Sequence, residues 1–165
     1  MAEILKINPH PSRGKKYPDL LPQIAAIIET ESDLIANLAN ITAILKEALG
    51  FFWVGFYRRS GDDLILGPFQ GLLACTRIPI NRGVCGTCAR EKRTIVVPDV
   101  DKFPEHIACS SLSRSELVIP LMHKGQVELM LDIDSIQLDD FDSDDVTNLE
   151  AVVAMIQKHH FAAAI

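Results

Sequence analysis

The sequence predicts an α+β fold in which helices pack against an antiparallel sheet. Three observations carry this prediction. Apolar residues recur at helical spacing towards both ends of the chain. The middle of the chain changes to short, strand-like runs. Those runs cluster instead of alternating strictly with helices, as a parallel sheet would require. A length of 165 residues suits one domain with one core.

Residues 1–16 carry Pro9, Pro11 and a short basic run and read as an irregular arm, with the domain proper expected over 17–165. Leu20, Ile24, Ile27 and Ile28 form one apolar stripe, and Leu34, Leu38, Ile41, Leu45 and Leu49 another, so two helices are expected. Ser32 is the expected N-cap between them and Gly50 the stop. Phe51 to Tyr57 (FFWVGFY) reads as a strand, and after the turn SGDD the runs LILGPFQ and LLACTRI continue an antiparallel meander. Gly83 to Glu91 predicts a short helix beginning near Val84, and Arg93 to Val97 another strand. Asp99 to Ser115 shows no period, and its 17 residues are long for a structureless loop, which points to function. Glu116–Leu121 and Gln126–Asp134 form an expected hairpin across HKG. The acidic DSDD then opens a last helix, with Val146, Leu149, Val152, Val153 and Ile156 as its stripe.

Composition removes several classes of function. With 48% apolar and 23% charged residues, the chain is neither disordered nor membrane-embedded. No run approaches the ~20 apolar residues of a membrane span. The N-terminal residues lack a secretory apolar segment, so a cytoplasmic location is expected. A net charge of −6 and scattered basic residues argue against nucleic-acid binding.

Four cysteines, at 75, 85, 88 and 109, carry the chemistry. In a reducing compartment they are expected to be catalytic, metal-bound or buried. Three readings stay open on the residues alone. Cys85, Cys88, His106 and Cys109 have a spacing able to close a zinc site, although the GVCGTCAR context is unlike a zinc knuckle. Cys85-Gly-Thr-Cys88 matches a dithiol motif, but it follows two helices and three strands, unlike a thioredoxin fold. In the third reading Cys109, in the long loop, is a nucleophile, with His106 or Arg114 favouring its thiolate and an upstream cysteine resolving it. Cys75 and Cys88 otherwise fit as small buried hydrophobes. Asp132 and Asp134 alternate on one strand and share a face, and Glu116 begins the neighbouring strand.

A set of longer motifs goes further: WVGFY (Trp53 to Tyr57), GPFQG (Gly67 to Gly71), Ala74-Cys75, GVCGT (Gly83 to Thr87), VPDV (Val97 to Val100), FP-HIAC (Phe103 to Cys109), SE-V-PL (Ser115 to Leu121) and LDIDS (Leu131 to Ser135). On these the chain resembles the free methionine-(R)-sulfoxide reductases, a GAF-domain family, from about Tyr17 to the final helix. The resemblance implies a single GAF-like domain that reduces free L-methionine (R)-S-oxide without a cofactor or metal. It implies that Cys109 attacks the sulfoxide sulfur, Cys85 resolves the sulfenic acid as a disulfide, and Cys75 is auxiliary. It further implies that Glu116, Asp132 and Asp134 bind substrate, Glu116 also supplying a proton, and that Trp53 and Tyr57 are the aromatic pocket residues. Thioredoxin or a similar dithiol would be the reductant, and the protein a homodimer. Cys88, Glu105, Ser110 and Glu128 depart from the family pattern, which has a small residue, glycine, an acidic residue and glycine there. The alternative reading is a GAF module that binds a small ligand without chemistry.

Overall fold

Helical periods and strand alternation resolve into two layers on either side of one sheet in the computed structural model, which describes residues 4–10 and 12–162. A 3-10 turn at Arg13–Lys15 leads into α1 (Tyr17–Thr30) and α2 (Leu34–Leu49), and a second, at Val100–Lys102, lies within the long segment before the last hairpin. β1 (Trp53–Ser60), β2 (Asp63–Gln70) and the short β3 (Arg77–Pro79) follow, then α3 (Gly83–Glu91) and β4 (Ile95–Val97). β5 (Ser115–His123) and β6 (Gln126–Ser135) form a hairpin, and α4 (Ser143–His160) ends the fold. The six strands run β3-β2-β1-β6-β5-β4, and every neighbouring pair is antiparallel.

Alternation along the three central strands divides the side chains. Val54 and Phe56 of β1, Leu117, Ile119 and Leu121 of β5, and Leu129, Leu131 and Ile133 of β6 join the core beneath α1, α2 and α4. Trp53, Tyr57, Val118 and Met130 point the other way, into a second cluster covered by α3. The first face therefore supplies most of the burial, and the second is left for a site.

Local chemistry fixes the element ends. Gly50 stops α2 with φ +73, a left-handed turn suited to glycine. Asp142 caps α4 and closes a capping box with Asp145. Two expectations need correction. The cap of α2 is Asp33, which accepts from the Ala36 N–H, and not Ser32. The run LLACTRI is not a strand, because only Arg77 onward pairs with β2 and residues 72–76 form a loop.

The arm is tied to the far end of the chain. Arg13 forks onto Asp145 (Nε to Oδ1 3.0 Å, Nη2 to Oδ2 2.7 Å) and also meets the Asp140 carboxylate and carbonyl. Tyr17 donates its hydroxyl hydrogen to Asp145 at 2.7 Å. Arg13 also lies over the rings of Phe51 and Phe141.

Candidate active site

Strand register builds the floor of the site. Trp53 stands opposite Asp134, and Asp134 opposite Glu116, so three strands contribute one cross-strand row. The adjacent row is Gly55, Asp132 and Val118. All five residues that the motifs mark outside the cysteines (Trp53, Tyr57, Glu116, Asp132, Asp134) thus reach the same sheet face.

The aromatic wall depends on two glycines. A Cβ on Gly55 would sit 2.4 Å from Trp53 Cη2, and one on Gly71 (φ +145) 2.4 Å from Trp53 Cδ1. The indole fits only because both positions lack a side chain. It stacks on Phe69 with centroids 5.5 Å apart and donates its Nε1–H to the Leu72 carbonyl at 3.0 Å. Tyr57 donates its hydroxyl hydrogen to the Cys75 carbonyl at 2.8 Å. Both aromatics therefore anchor the 71–76 loop.

That loop brings Cys75 to Cys109, and the two form a disulfide with Cα atoms 5.3 Å apart. Cys109 and Ser110 line two small clefts that meet at this bond. One is bordered by Trp53, Tyr57 and Leu73, the other by Gly83, His106 and Glu116, and Asp132 and Asp134 line both. On the roof, Cys85 in the first turn of α3 is a buried thiol that donates to Asp132 Oδ2 at 3.6 Å. Asp132 Oδ1, also buried, accepts no hydrogen bond among the described residues.

Burial dominates the electrostatics. It pushes the Glu116 and Asp132 carboxyls well up; repulsion from Asp132 adds to it at Glu116, and repulsion from Asp134 adds to it at Asp132. Burial raises Asp134 to about 6. The cluster therefore holds its protons to higher pH than free carboxyls do and can also hold negative charge. Burial likewise pushes the Cys85 thiol up, reinforced by Asp132, and raises Cys88 to about 12, so both stay protonated.

Several sequence expectations change here. The resemblance pairs Cys109 with Cys85, whereas the structure pairs it with Cys75 and leaves Cys85 facing the sheet. The physical reason is the loop anchoring: Tyr57 holds Cys75 at the mouth, while α3 points Cys85 at Asp132. Cys75 is accordingly not a simple buried hydrophobe. The four residues with zinc-like spacing do not converge, since Cys109 is in the disulfide and Cys88 donates to the Val118 carbonyl. His106 lies 3.8 Å from Glu116, and burial lowers its pKa, so it is neutral at pH 7 and lends Cys109 no charge. Arg114 is 3.9 Å from Asp101 at the surface. The sequence reading does not single out Gly55 or Gly71; for Gly55, a glycine inside a strand is the available signal, whereas Gly71 lies just past the end of β2.

The profile of the GAF domain matches residues 33–159. The free methionine-R-sulfoxide reductase of Escherichia coli is 43% identical over 143 residues, 86% of this chain and 87% of that protein. The chain belongs to the free methionine-R-sulfoxide reductase family of GAF domains. An X-ray structure of the Neisseria meningitidis member in complex with its substrate superposes with a TM-score of 0.90 at 47% identity, over 94% of this chain and 95% of that one. GAF domain-containing protein A of Dictyostelium discoideum is 50% identical, over 94% of this chain and 99% of that protein. This single GAF domain is α+β with an antiparallel sheet. No helix among the described residues is long and apolar enough to cross a membrane.

Proposed function

We propose that this protein reduces free L-methionine (R)-S-oxide to L-methionine by thiol chemistry at Cys109. One observation carries the reading: three buried or half-buried carboxyls, from Glu116, Asp132 and Asp134, share one sheet face, and the loop residue Cys109 borders the pocket they line. The ionised members of this cluster, gathered out of water, need a cation, and a free amino acid supplies one as its ammonium. The uncapped first turn of α3, at Gly83 to Cys85, offers backbone N–H groups to the α-carboxylate. A methionine within a peptide carries neither charge and leaves the cage unpaired. Trp53 and Tyr57 form the wall for the thioether end.

The chemistry follows from the protonation states. A sulfoxide becomes electrophilic at sulfur once its oxygen is hydrogen-bonded or protonated, and Glu116, held protonated by burial, supplies that hydrogen. The Cys109 thiolate attacks sulfur, methionine leaves, and the oxygen stays on Cys109 as a sulfenic acid. The Cys75 thiol then condenses with it, releasing water and forming the observed linkage. An external dithiol, thioredoxin or a relative, reduces the disulfide by exchange. We place the reaction in the cytoplasm and expect a homodimer.

The test is NADPH consumption with thioredoxin, its reductase and free methionine-(R)-sulfoxide. Turnover is expected with the free sulfoxide, none with its N-acetylated, C-amidated form, and none in Cys109→Ser. Tight binding of the free sulfoxide without reduction by any dithiol would instead favour a ligand-sensing module.

A further inference from the structure

Cys85 has no part in the cycle above, yet it occupies the most enclosed corner of the cage. Ammonium recognition needs the carboxyls, not a thiol. The ligand atoms of Cys85, Glu116 and Asp132 all lie within 4.8 Å of one another, and all three residues are buried. Bonds of about 2.3 Å to sulfur and 2.1 Å to oxygen at a tetrahedral angle set two donors roughly 3.6 Å apart. Cys85 Sγ and Asp132 Oδ2 are separated by 3.6 Å. A second observation points the same way: Asp132 is 6% exposed, and its other oxygen has no partner among the described residues.

We propose that Cys85, Glu116 and Asp132 form a site for a thiophilic divalent cation of the zinc class, which takes the place of the substrate's ammonium and so inhibits by competition. The donor set selects this class. A thiolate favours soft or borderline ions, and three protein donors are too few for calcium, which takes six to eight oxygens. The fourth position opens toward the cleft, where water or a ligand carboxylate completes the tetrahedron. On binding, the thiol and any protonated carboxyl lose their protons to solvent, and metal–sulfur and metal–oxygen bonds replace the S–H and O–H bonds. The dication then neutralises charges that burial otherwise suppresses by protonation.

The competition, though not the binding, rests on the substrate placement given above. The decisive measurement uses the full chain with the Cys75–Cys109 disulfide closed, which keeps those sulfurs away from metal. Titration with Cd2+ alone should produce a thiolate-to-metal charge-transfer band saturating at one equivalent. The band should vanish in Cys85→Ala, weaken at least tenfold in apparent affinity in Asp132→Asn, and survive in Cys88→Ala. No band in the unaltered protein, or an undiminished band in Cys85→Ala, overturns the site. Zn2+ should displace Cd2+ and raise the apparent KM for the free sulfoxide. If a Cys85-dependent band resists excess free methionine, the metal site stands and the ammonium placement fails.

Discussion

A carboxyl held near pH 6, as Asp134 is, changes charge inside the range in which enzymes are commonly assayed. Two outcomes follow. Ammonium binding needs the ionised form, so KM for the free sulfoxide should rise as pH falls below about 6, and Asp134→Asn should flatten that rise while raising KM throughout. The second concerns stability. Because its folded pKa lies above the ordinary 3.8, this group favours the folded state at low pH, and that contribution is lost as pH rises from about 4 through about 6. The stability difference between the native chain and Asp134→Asn, read by chemical denaturation, should shift across that window. The cysteines separate in the same way. Cys75→Ser should release about one methionine per chain and then slow by on the order of a hundredfold in steady state. Cys85→Ser should still form the 75–109 linkage by mass spectrometry. Asp132 and Asp134 were legible as a pair from simple alternation. The link between Cys75 and Cys109 was not, because 34 residues separate them and no local signal joins them. Glu105, where the family pattern has glycine, adopts φ +58, the left-handed region that glycine tolerates, so that departure has a backbone meaning that sequence alone does not show.

At the scale of elements, the site is a property of register. Trp53, Asp134 and Glu116 align only because β6 lies between β1 and β5 with one particular pairing, and a slip of β6 by one residue would turn Asp132 and Asp134 to the helical layer. Gly55 is the cheapest place to test this. Gly55→Ala must push aside both the indole and the Phe69 Cβ, which would lie 2.6 Å from the added methyl, next to a bulge in the pairing with β2. KM should rise severalfold or more, and the denaturation midpoint should fall as well, since the packing around Trp53 and Phe69 must shift. Long periodic elements were legible: α2, the β5–β6 hairpin and α4 appear where their patterns end. The 72–76 segment was not, because an apolar run at that length fits a strand equally well. Its actual course is set by hydrogen bonds from Trp53 and Tyr57, which are distant in sequence.

The whole molecule is closed by a contact that no periodicity announces. Arg13, in what reads as an irregular arm, neutralises the carboxylate of Asp145 at the start of α4. Asp145 is 1% exposed, so removing the guanidinium leaves a buried charge with only the Tyr17 hydroxyl and local N–H groups. Arg13→Ala should cost about 3 kcal/mol in chemical denaturation, with KM unchanged at temperatures where the protein stays folded, since the pair lies on the helical side of the sheet.

The sulfur bridge at the pocket mouth fastens a strand-anchored loop to the long segment that carries the nucleophile. On the proposed cycle, every round of chemistry latches these two stretches together over the spent cage. The next guest cannot be processed until a visiting dithiol undoes the latch. Sulfoxide and reductant must then take turns, as at a turnstile, and double-reciprocal plots at several reductant levels should give parallel lines.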